Sequence, residues 1–519
     1  MAPAVATPPG PEAIERARLA SSSGRAAASN VAFLKSLGPT ERAGFAGAIA
    51  RKPTRSLSGV AVVAVMTAPA RCPHGRCTYC PGGVEFRTPQ SYTGEEPSAL
   101  RGAQFRYDPE AIVRHRLETL EEIGHATSKV EVIVMGGTFP ARPLTYQRAV
   151  LKGIYDGLNG ERSADLEEAR ERNVVAAHRL VGLTVETRPD QCDGRVLPFL
   201  LDAGVTRVEL GVECLNDQVL DRVHRAHGVA EVVRANRSAR DRGLKVGYHM
   251  MLGLPGMDPT SDLDGFRRLW SEEAHRPDFL KIYPTLVLPG TQLHDDWKAG
   301  RYRPYDTPTA AGLLAAIKRE IPPWVRIHRI QRDIPARLIA DGVRTSNLRQ
   351  LALSRLRAEG ARCRCLRCRE PGRGSTPPAE EFRLSRLGYG AAGGRERFLS
   401  FEHGPTDACA AYLRLRFPAD ATEGGLDGPI VRELKVVGRE LPVGTGPGSA
   451  ETYQHRGFGR ALLGEAEVEA RAAGFDCLYV ISAVGSREYY RARGYSPHGP
   501  YLVKRLGVGP DVGGPPAGP

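Results

Sequence analysis

The chain has 519 residues, with 72 Lys and Arg against 59 Asp and Glu and with ten cysteines. That length exceeds what one hydrophobic core organises and predicts two folded domains, while a formal charge of +13 favours a polyanionic partner through counterion release. No apolar run approaches the eighteen or so residues of a spanning helix, and the start lacks the charged and apolar regions of a leader, so a cytoplasmic protein without a membrane span is expected.

In chain order, residues 1–30 are rich in Ala, Pro, Ser and Gly and are expected to form a disordered tail. Residues 31–59 are basic and end in R-K-P-T-R-S-L-S-G. Short β-branched runs follow at 60–66, 130–135, 181–185, 207–211, 245–251 and 279–283, with helical stretches at 109–123, 217–223 and 229–242 between them. Six strands separated by helices predict a parallel α/β array over 60–345. The alternation breaks near Ile321, and 346–380 reads as a cysteine-rich linker ending in a Pro/Gly/Ser-rich patch. Strands expected at 397–401, 411–417, 430–437 and 478–482, with a helix at 457–473, describe a smaller α/β unit over 381–506. A Gly/Pro-rich tail, 507–519, follows and is expected to be disordered.

Ten cysteines in a cytosolic chain suggest metal or redox chemistry rather than disulfides. Cys72, Cys77 and Cys80 stand in R-C-P-H-G-R-C-T-Y-C-P-G-G, directly after the first strand. Three cysteinates leave one iron of a [4Fe–4S] cluster open for the amino and carboxylate groups of S-adenosylmethionine, whereas a four-cysteine electron carrier has no such site. C-x2-C is also a zinc-knuckle spacing. The place at a strand end and the motifs on the next strands favour the cluster. Gly136, Gly137 and Thr138 end the second strand, Glu186 and Arg188 the third, and Gly253 the fifth, which makes them candidates for binding S-adenosylmethionine.

A second group, Cys363, Cys365 and Cys368, reads C-R-C-L-R-C and proposes zinc, whose fourth ligand the sequence does not identify. Further on, Gln454, Gly457 and Gly459 form Q-x-x-G-x-G between a strand and a helix, where backbone N–H groups can hold the pyrophosphate of acetyl-CoA. E-L-K-V-V, with Glu433, Leu434 and Val436, precedes this turn; Y-Y-R-A-R-G-Y, with Tyr489 and Tyr490, follows it and looks like the closing part of a GNAT-type acetyltransferase. His455, Arg456, Phe458 and Arg460 complete the candidate acetyl-CoA loop.

Together these motifs, with V-E-L-G-V-E, K-V-G-Y-H-M-M-L-G-L-P-G, L-K-I-Y-P-T, W-V-R-I-H-R-I-Q-R-D-I-P and S-N-L-R-Q, make the chain resemble the catalytic subunit of Elongator in its single-chain bacterial and archaeal form. The resemblance runs from about Lys52 to about Arg505. It implies a partial, six-stranded radical-SAM barrel, a zinc-binding linker and a GNAT-type domain. It also implies a transferase that forms 5-carboxymethyluridine at wobble uridine 34 of tRNA from acetyl-CoA. The partners implied are the tRNA anticodon stem-loop and acetyl-CoA, with a homodimer left open. Lys281 and Tyr283, by the same resemblance, would position acetyl-CoA or the base, and Tyr489 and Tyr490 match a tyrosine pair for acetyl-CoA. Where the family pattern has Gln, and commonly Ser after it, this chain has Glu213 and Cys214. The candidate tRNA surface comprises Lys52, Arg55, Arg326, Arg329, Arg332, Arg337, Arg344 and Arg349. The competing reading is a protein lysine N-acetyltransferase with a structural iron–sulfur cluster, which leaves the basic surface without a partner.

Overall fold

β-branched and apolar runs build the first sheet: β1 (Ala61–Met66), β2 (Lys129–Met135), β3 (Arg179–Thr187), β4 (Arg207–Glu213), β5 (Lys245–Leu252), β6 (Phe279–Pro284) and β7 (Arg326–Ile330). The computed structural model describes residues 59–372, 376–419, 425–437, 453 and 456–507. Residues 1–58 with Lys52 and Arg55, the insertion 444–449, Gln454, His455 and the tail from 508 lie outside the described residues.

The seven strands pair in sequential order and every pairing is parallel. Right-handed crossovers between successive neighbours place all connecting helices on one face, so the sheet curls into a barrel wall. β1 and β7 are its two edges, which leaves the barrel partial. Val208, Leu210, Val212, Val246, Tyr248, Leu280 and Ile282 pack into the core beneath the helices. The alternate positions Arg207, Glu209, His249 and Lys281 therefore face the lumen. The array has one strand more than the six expected. In R-I-H-R-I the lumen-facing positions are basic, which hides the strand from a reading based on apolar runs, yet Phe279 pairs with Arg326 and Ile282 with Ile330.

The second sheet is mixed, in the order β13-β14-β12-β11-β10-β9-β8. Its strands are β8 (Arg383–Ala391), β9 (Gly394–His403), β10 (Ala408–Phe417), β11 (Ile430–Val436), β12 (Cys477–Ile481), β13 (Ser496–His498) and β14 (Tyr501–Arg505). The helix Phe458–Ala472 lays Phe458, Leu462, Leu463, Ala466 and Ala470 on this sheet and closes a separate core. β11 and β12 run parallel but pair only at Ile430–Tyr479 and Val431–Val480. Beyond Val431 they diverge, and among the described residues no strand pairs with the β12-facing edge of β11.

The two units meet at the N-terminal ends of the barrel strands through ions rather than apolar surface alone. Arg432 grips both oxygens of Asp278 at 2.8 Å and Glu396 at 2.9 Å. Arg416 pairs with Asp241 at 2.5 Å and Glu396 at 3.0 Å, and Arg240 with Glu396 at 3.0 Å. Arg414 reaches Glu433 at 2.9 Å and Asp278 at 3.5 Å. Removing one partner from such a dry network leaves an uncompensated charge, so Glu396→Ala is expected to cost about 3–5 kcal/mol. Thermal denaturation followed by separate probes of each unit checks this; a midpoint equal to the parent's would show that the network contributes nothing to stability.

Candidate functional site

The chain leaves β1 into the cysteine loop, where turns from Cys72 O to Gly75 N and from Cys77 O to Cys80 N, each 3.0 Å, fold the three sulfurs inward. Thr138 Oγ1 donates to Cys72 Sγ at 3.5 Å, Arg225 Nη1 to Cys77 Sγ at 3.6 Å, and His74 Nε2 lies 3.2 Å from Cys77 Sγ. Burial pushes the Cys80 thiol up to about 11, so an incoming metal must displace its proton. Among the described residues, sets of ligand atoms mutually within 4.8 Å comprise Cys363, Cys365 and Cys368, and Glu186, Glu209 and His249. The first-loop sulfurs are more widely spread. That spacing suits a cluster, which takes each sulfur on a different iron, better than a single ion.

The expected ligand groups surround this loop unevenly. Gly137, with φ of 95°, brings the end of β2 to the cysteines: a Cβ there would lie 3.8 Å from Cys72 Sγ. Arg188 is buried; its Nε bonds Asp190 at 2.8 Å and its Nη2 the Ala226 carbonyl at 3.2 Å, while Nη1 has no partner among the described residues. An orphaned guanidinium nitrogen beside the cysteines fits a carboxylate ligand such as that of S-adenosylmethionine. Gly253 differs. Its N–H donates to Asp262 at 2.7 Å, its carbonyl accepts from Tyr302 at 2.7 Å, and a Cβ would meet the Tyr305 ring at 3.0 Å. It is a packing glycine whose polar groups are already engaged.

Inside the lumen, Lys281 bonds Glu186 at 3.0 Å and also contacts Glu209. His249 Nε2 lies 2.8 Å from Glu209, Tyr92 donates to Glu186 at 3.1 Å, and Tyr283 stands edge-on to His249 at 5.8 Å. Burial alone would neutralise the lysine; the flanking carboxylates outweigh it and hold the ammonium protonated, while Lys281 and His249 keep Glu209 ionised. Glu209, His249, Tyr92 and Arg225 were not among the residues expected from the sequence. The signal for two of them was present: Glu209 and His249 are polar residues in otherwise apolar strands, in register with each other's neighbours across β4 and β5.

At the barrel floor Arg207 lies over the Phe279 ring at 5.1 Å, with His328 stacked on the ring at 4.4 Å. The open edge of β11 begins beside this point. Glu433 is held down to about 2, against the burial that would raise it, by Lys245, Arg414, Arg207 and Lys435. Gly457, at φ 83°, caps the helix that follows. A Cβ on Gly459 would lie 2.7 Å from Tyr489 Oη and 3.7 Å from Val436, which brings the turn, the β11 end and Tyr489 together. Arg493 covers the Tyr489 ring at 3.6 Å, and Arg460 is exposed beside it. Tyr490 and Phe458 instead point into the core, Phe458 against Phe401 at 4.6 Å.

In the linker, Lys318 is fully buried and its Nζ donates to Cys363 Sγ at 3.2 Å and to Cys368 Sγ at 3.7 Å. The lysine ammonium thus lies against two of the three sulfurs. The expected basic surface is mostly drawn inward. Arg326 pairs with Glu370 at 3.1 Å, and Arg349 bonds the Ile327 carbonyl at 3.3 Å beside the cysteines. Arg329 pairs with Asp333 and Arg332 with the Ser91 carbonyl. Arg337, paired with Glu95, and Arg344 remain exposed.

Asp262, which accepts from Gly253 N–H and from Tyr305, is pushed up to about 6 by burial. A carboxyl raised in the folded state contributes stability that is complete below its unfolded pKa and lost as pH rises through about 6. Asp262→Asn is therefore expected to gain on the parent in denaturation midpoint between pH 5 and pH 7.5. A constant difference across that window would refute it.

Residues 67–264 match the Radical SAM superfamily and 277–358 the Radical_SAM C-terminal domain. The chain is 45% identical to the tRNA uridine(34) acetyltransferase of Methanocaldococcus jannaschii over 88% of its own length and 86% of that protein's. It is 46% identical to the tRNA uridine(34) acetyltransferase of Dehalococcoides mccartyi over 88% and 100%, and 43% identical to human Elongator complex protein 3 over 88% and 86%. The solved structure of the archaeal Methanocaldococcus infernus Elp3 lacking residues 1–46 is 40% identical, superposes with a TM-score of 0.77, and covers 86% of this chain and 100% of that one. On this likeness in sequence and in structure, the chain belongs to the Elongator complex protein 3 family.

Proposed function

We propose that the protein is a tRNA-modifying enzyme that builds 5-carboxymethyluridine at wobble uridine 34 from acetyl-CoA by a radical route. The observation that supports this most directly is the placement of two half-sites on one barrel. Cys72, Cys77 and Cys80 ring its upper mouth, and the Gly457 turn with the open edge of β11 lies toward its floor. The names of the relatives, tRNA uridine(34) acetyltransferase, agree with that pairing.

Cys72, Cys77 and Cys80 would hold a [4Fe–4S] cluster, which together with S-adenosylmethionine would supply the radical chemistry. The chain's own groups prepare the reactants. Arg188 offers its free Nη1 to the methionyl carboxylate, and Glu186, fixed by Tyr92 and Lys281, accepts from a ribose hydroxyl. At the floor, the backbone of Glu433, Leu434 and Val436 offers an unpaired edge to the pantetheine amides. The N–H groups at the start of the Phe458–Ala472 helix face the pyrophosphate. Lys281 presents a fixed cation in the lumen, and Tyr283 borders the space beside His249. In balance, S-adenosylmethionine would be the oxidant: one hydrogen atom would pass from the acetyl methyl to 5′-deoxyadenosine, the methylene carbon would bond C5 of uracil, the electron first supplied for cleavage would be returned, the C5 proton would go to solvent, and water would cleave the thioester to the carboxymethyl group and free CoA.

Cys363, Cys365 and Cys368 would hold a structural zinc with Lys318 as the buried cation that offsets three thiolates. Cys365→Ser is expected to lose about one equivalent of zinc by elemental analysis and to lower the thermal midpoint. Unchanged zinc content would remove the metal from the linker.

The main test is anaerobic. Reconstituted protein, reductant, S-adenosylmethionine, methyl-labelled acetyl-CoA and unmodified tRNA should yield label in a carboxymethyl group on the wobble uridine, and Cys77→Ala should abolish it. An intact cluster and bound tRNA with no labelled nucleoside would overturn the reading and point to peptide acetylation.

A further inference from the structure

Three residues after Cys80 the chain projects a short tip. Gly83 and Thr88 bond each other's backbone in both directions at 3.2 Å, closing Val84–Arg87 into a single tight turn. All four tip residues are exposed, including two large apolar ones: Val84 at 42% and Phe86 at 52%. The tip is not loose. A Cβ on Gly82 would strike the Tyr92 carbonyl oxygen at 2.0 Å, and one on Gly94 would strike Thr88 at 2.7 Å, so both glycines are needed for the loop to pack onto its own stem.

One side of Phe86 is already occupied. Arg76 donates from Nε to the Cys80 carbonyl at 2.8 Å and from Nη2 to the Gly290 carbonyl at 3.0 Å, and its guanidinium lies over the Phe86 ring at 5.2 Å. Arg76 thus ties the cysteine loop to the segment after β6 and backs the ring. The remaining ring surface faces solvent beside the exposed Arg87, while the neighbouring Arg71 pairs with the tip's own Glu85 at 2.9 Å. A rigid, half-bare aromatic backed by the Arg76 guanidinium, with the exposed Arg87 beside it and the tip carboxylate of Glu85 neutralised by Arg71, matches the chemistry of single-stranded nucleic acid, where bases stack and phosphates meet cations. A folded apolar partner would find only two apolar side chains among charges.

Building on the tRNA reading above, we infer that Phe86 is a stacking platform for an unpaired base flanking the wobble uridine. The uridine must leave its stack to reach the barrel mouth, and a neighbour held on Phe86 keeps the loop splayed beside the cysteine loop. This surface lies at the mouth, whereas much of the basic stretch from Arg326 to Arg349 is engaged internally.

The test uses the full-length reconstituted protein and a transcribed tRNA with 2-aminopurine at the position 3′ of the wobble uridine. Phe86→Ala should weaken binding about 10-fold, as expected for one lost base–aromatic stack. Phe86→Trp should bind as the parent does and retain the binding-induced change in 2-aminopurine fluorescence that Phe86→Ala loses. The slope of log affinity against log salt should stay the same in Phe86→Ala and fall by about one in Arg87→Ala, because only the latter removes a phosphate contact. Iron content equal to the parent's shows that the cysteine loop is intact. Parental affinity and fluorescence in Phe86→Ala would overturn this inference alone, as would equal losses in the Ala and Trp variants. A parent that cleaves S-adenosylmethionine but binds no tRNA would overturn the proposed function with it.

Discussion

The orientation of the two units depends on one buried set of charges. Arg240, Arg414, Arg416 and Arg432 face Asp241, Asp278, Glu396 and Glu433, four guanidinia against four carboxylates, with most of these side chains at or near zero exposure. Desolvating ions is costly, and the cost is offset only while each keeps its partners at bonding distance. A sliding apolar interface could accept a different angle between the sheets; this one cannot. Carbonyl bonds from Arg432 to Leu244 at 3.0 Å and from Arg414 to Trp324 at 2.7 Å fasten the same arginines to the backbone just before β5 and β7. The linker is bound into the same joint, with Cys409 N–H donating to the Arg369 carbonyl at 2.8 Å and Leu366 N–H to Val325 at 2.9 Å.

That joint determines what the lumen sees at each end. The second sheet covers the floor, so Glu433 and Lys435 of β11 join Glu131, Arg207 and Lys245 in one electrostatic group. Lys245 is lowered to about 8, by burial first and by Arg207 and Lys435 beside it, despite the opposing carboxylates. Above this layer Phe279 fills the middle, between Arg207 and His328, with Gly247 required for its ring: a Cβ there would lie 2.0 Å from it. Above that stand Glu186, Glu209, His249 and Lys281. The barrel interior is a column of paired charges with one aromatic layer, unlike the apolar filling usual for a closed barrel. Its polarity goes with a sheet that is not closed, β1 and β7 remaining its two edges.

Much of this was legible in the sequence, for reasons that differ by element. Strands β1 to β6 carry β-branched residues on the face beneath the helices, and that face reads the same whatever lies in the lumen. β7 failed that test because R-I-H-R-I spends its alternate positions on lumen and linker contacts. β8, R-L-S-R-L-G-Y-G-A, is an outer strand with no fully buried residue before Ala391, and its two arginines, three apart, fall on opposite faces, so no apolar alternation marks it. Cys72, Cys77 and Cys80 announce themselves by spacing. Arg225 does not: it follows β4 by twelve residues and reaches Cys77 only because the chain folds back under Gly211. Tyr490 and Tyr489 are adjacent in sequence, and only the fold separates the core residue from the one over the glycine turn.

The end of β4 shows how a departure from the expected pattern is absorbed. Glu213 has φ of 68°, a left-handed conformation that a side chain bearing Cβ adopts at a cost of on the order of 1–3 kcal/mol. The register of β4 on β5 shifts between Gly211 and Glu213, and this bulge turns the carboxylate back along its own strand. There it meets Arg225 at 3.1 Å, which also donates to the Gly211 carbonyl at 2.6 Å, to His227 at 3.1 Å and to Cys77 Sγ. Gly211 has to be glycine, since a Cβ would lie 2.2 Å from that guanidinium. His227 is held down to about 3, by burial and then by Arg225, and so adds no competing charge. A glutamine at position 213 could accept a hydrogen bond from Arg225 but would bring no charge. Glutamate neutralises a buried guanidinium that also donates to the Cys77 sulfur. The strained residue and the arginine thus form a local pair behind the cysteines, and it is Arg225, rather than any residue of the cysteine loop itself, that joins β4 to the sulfur of Cys77.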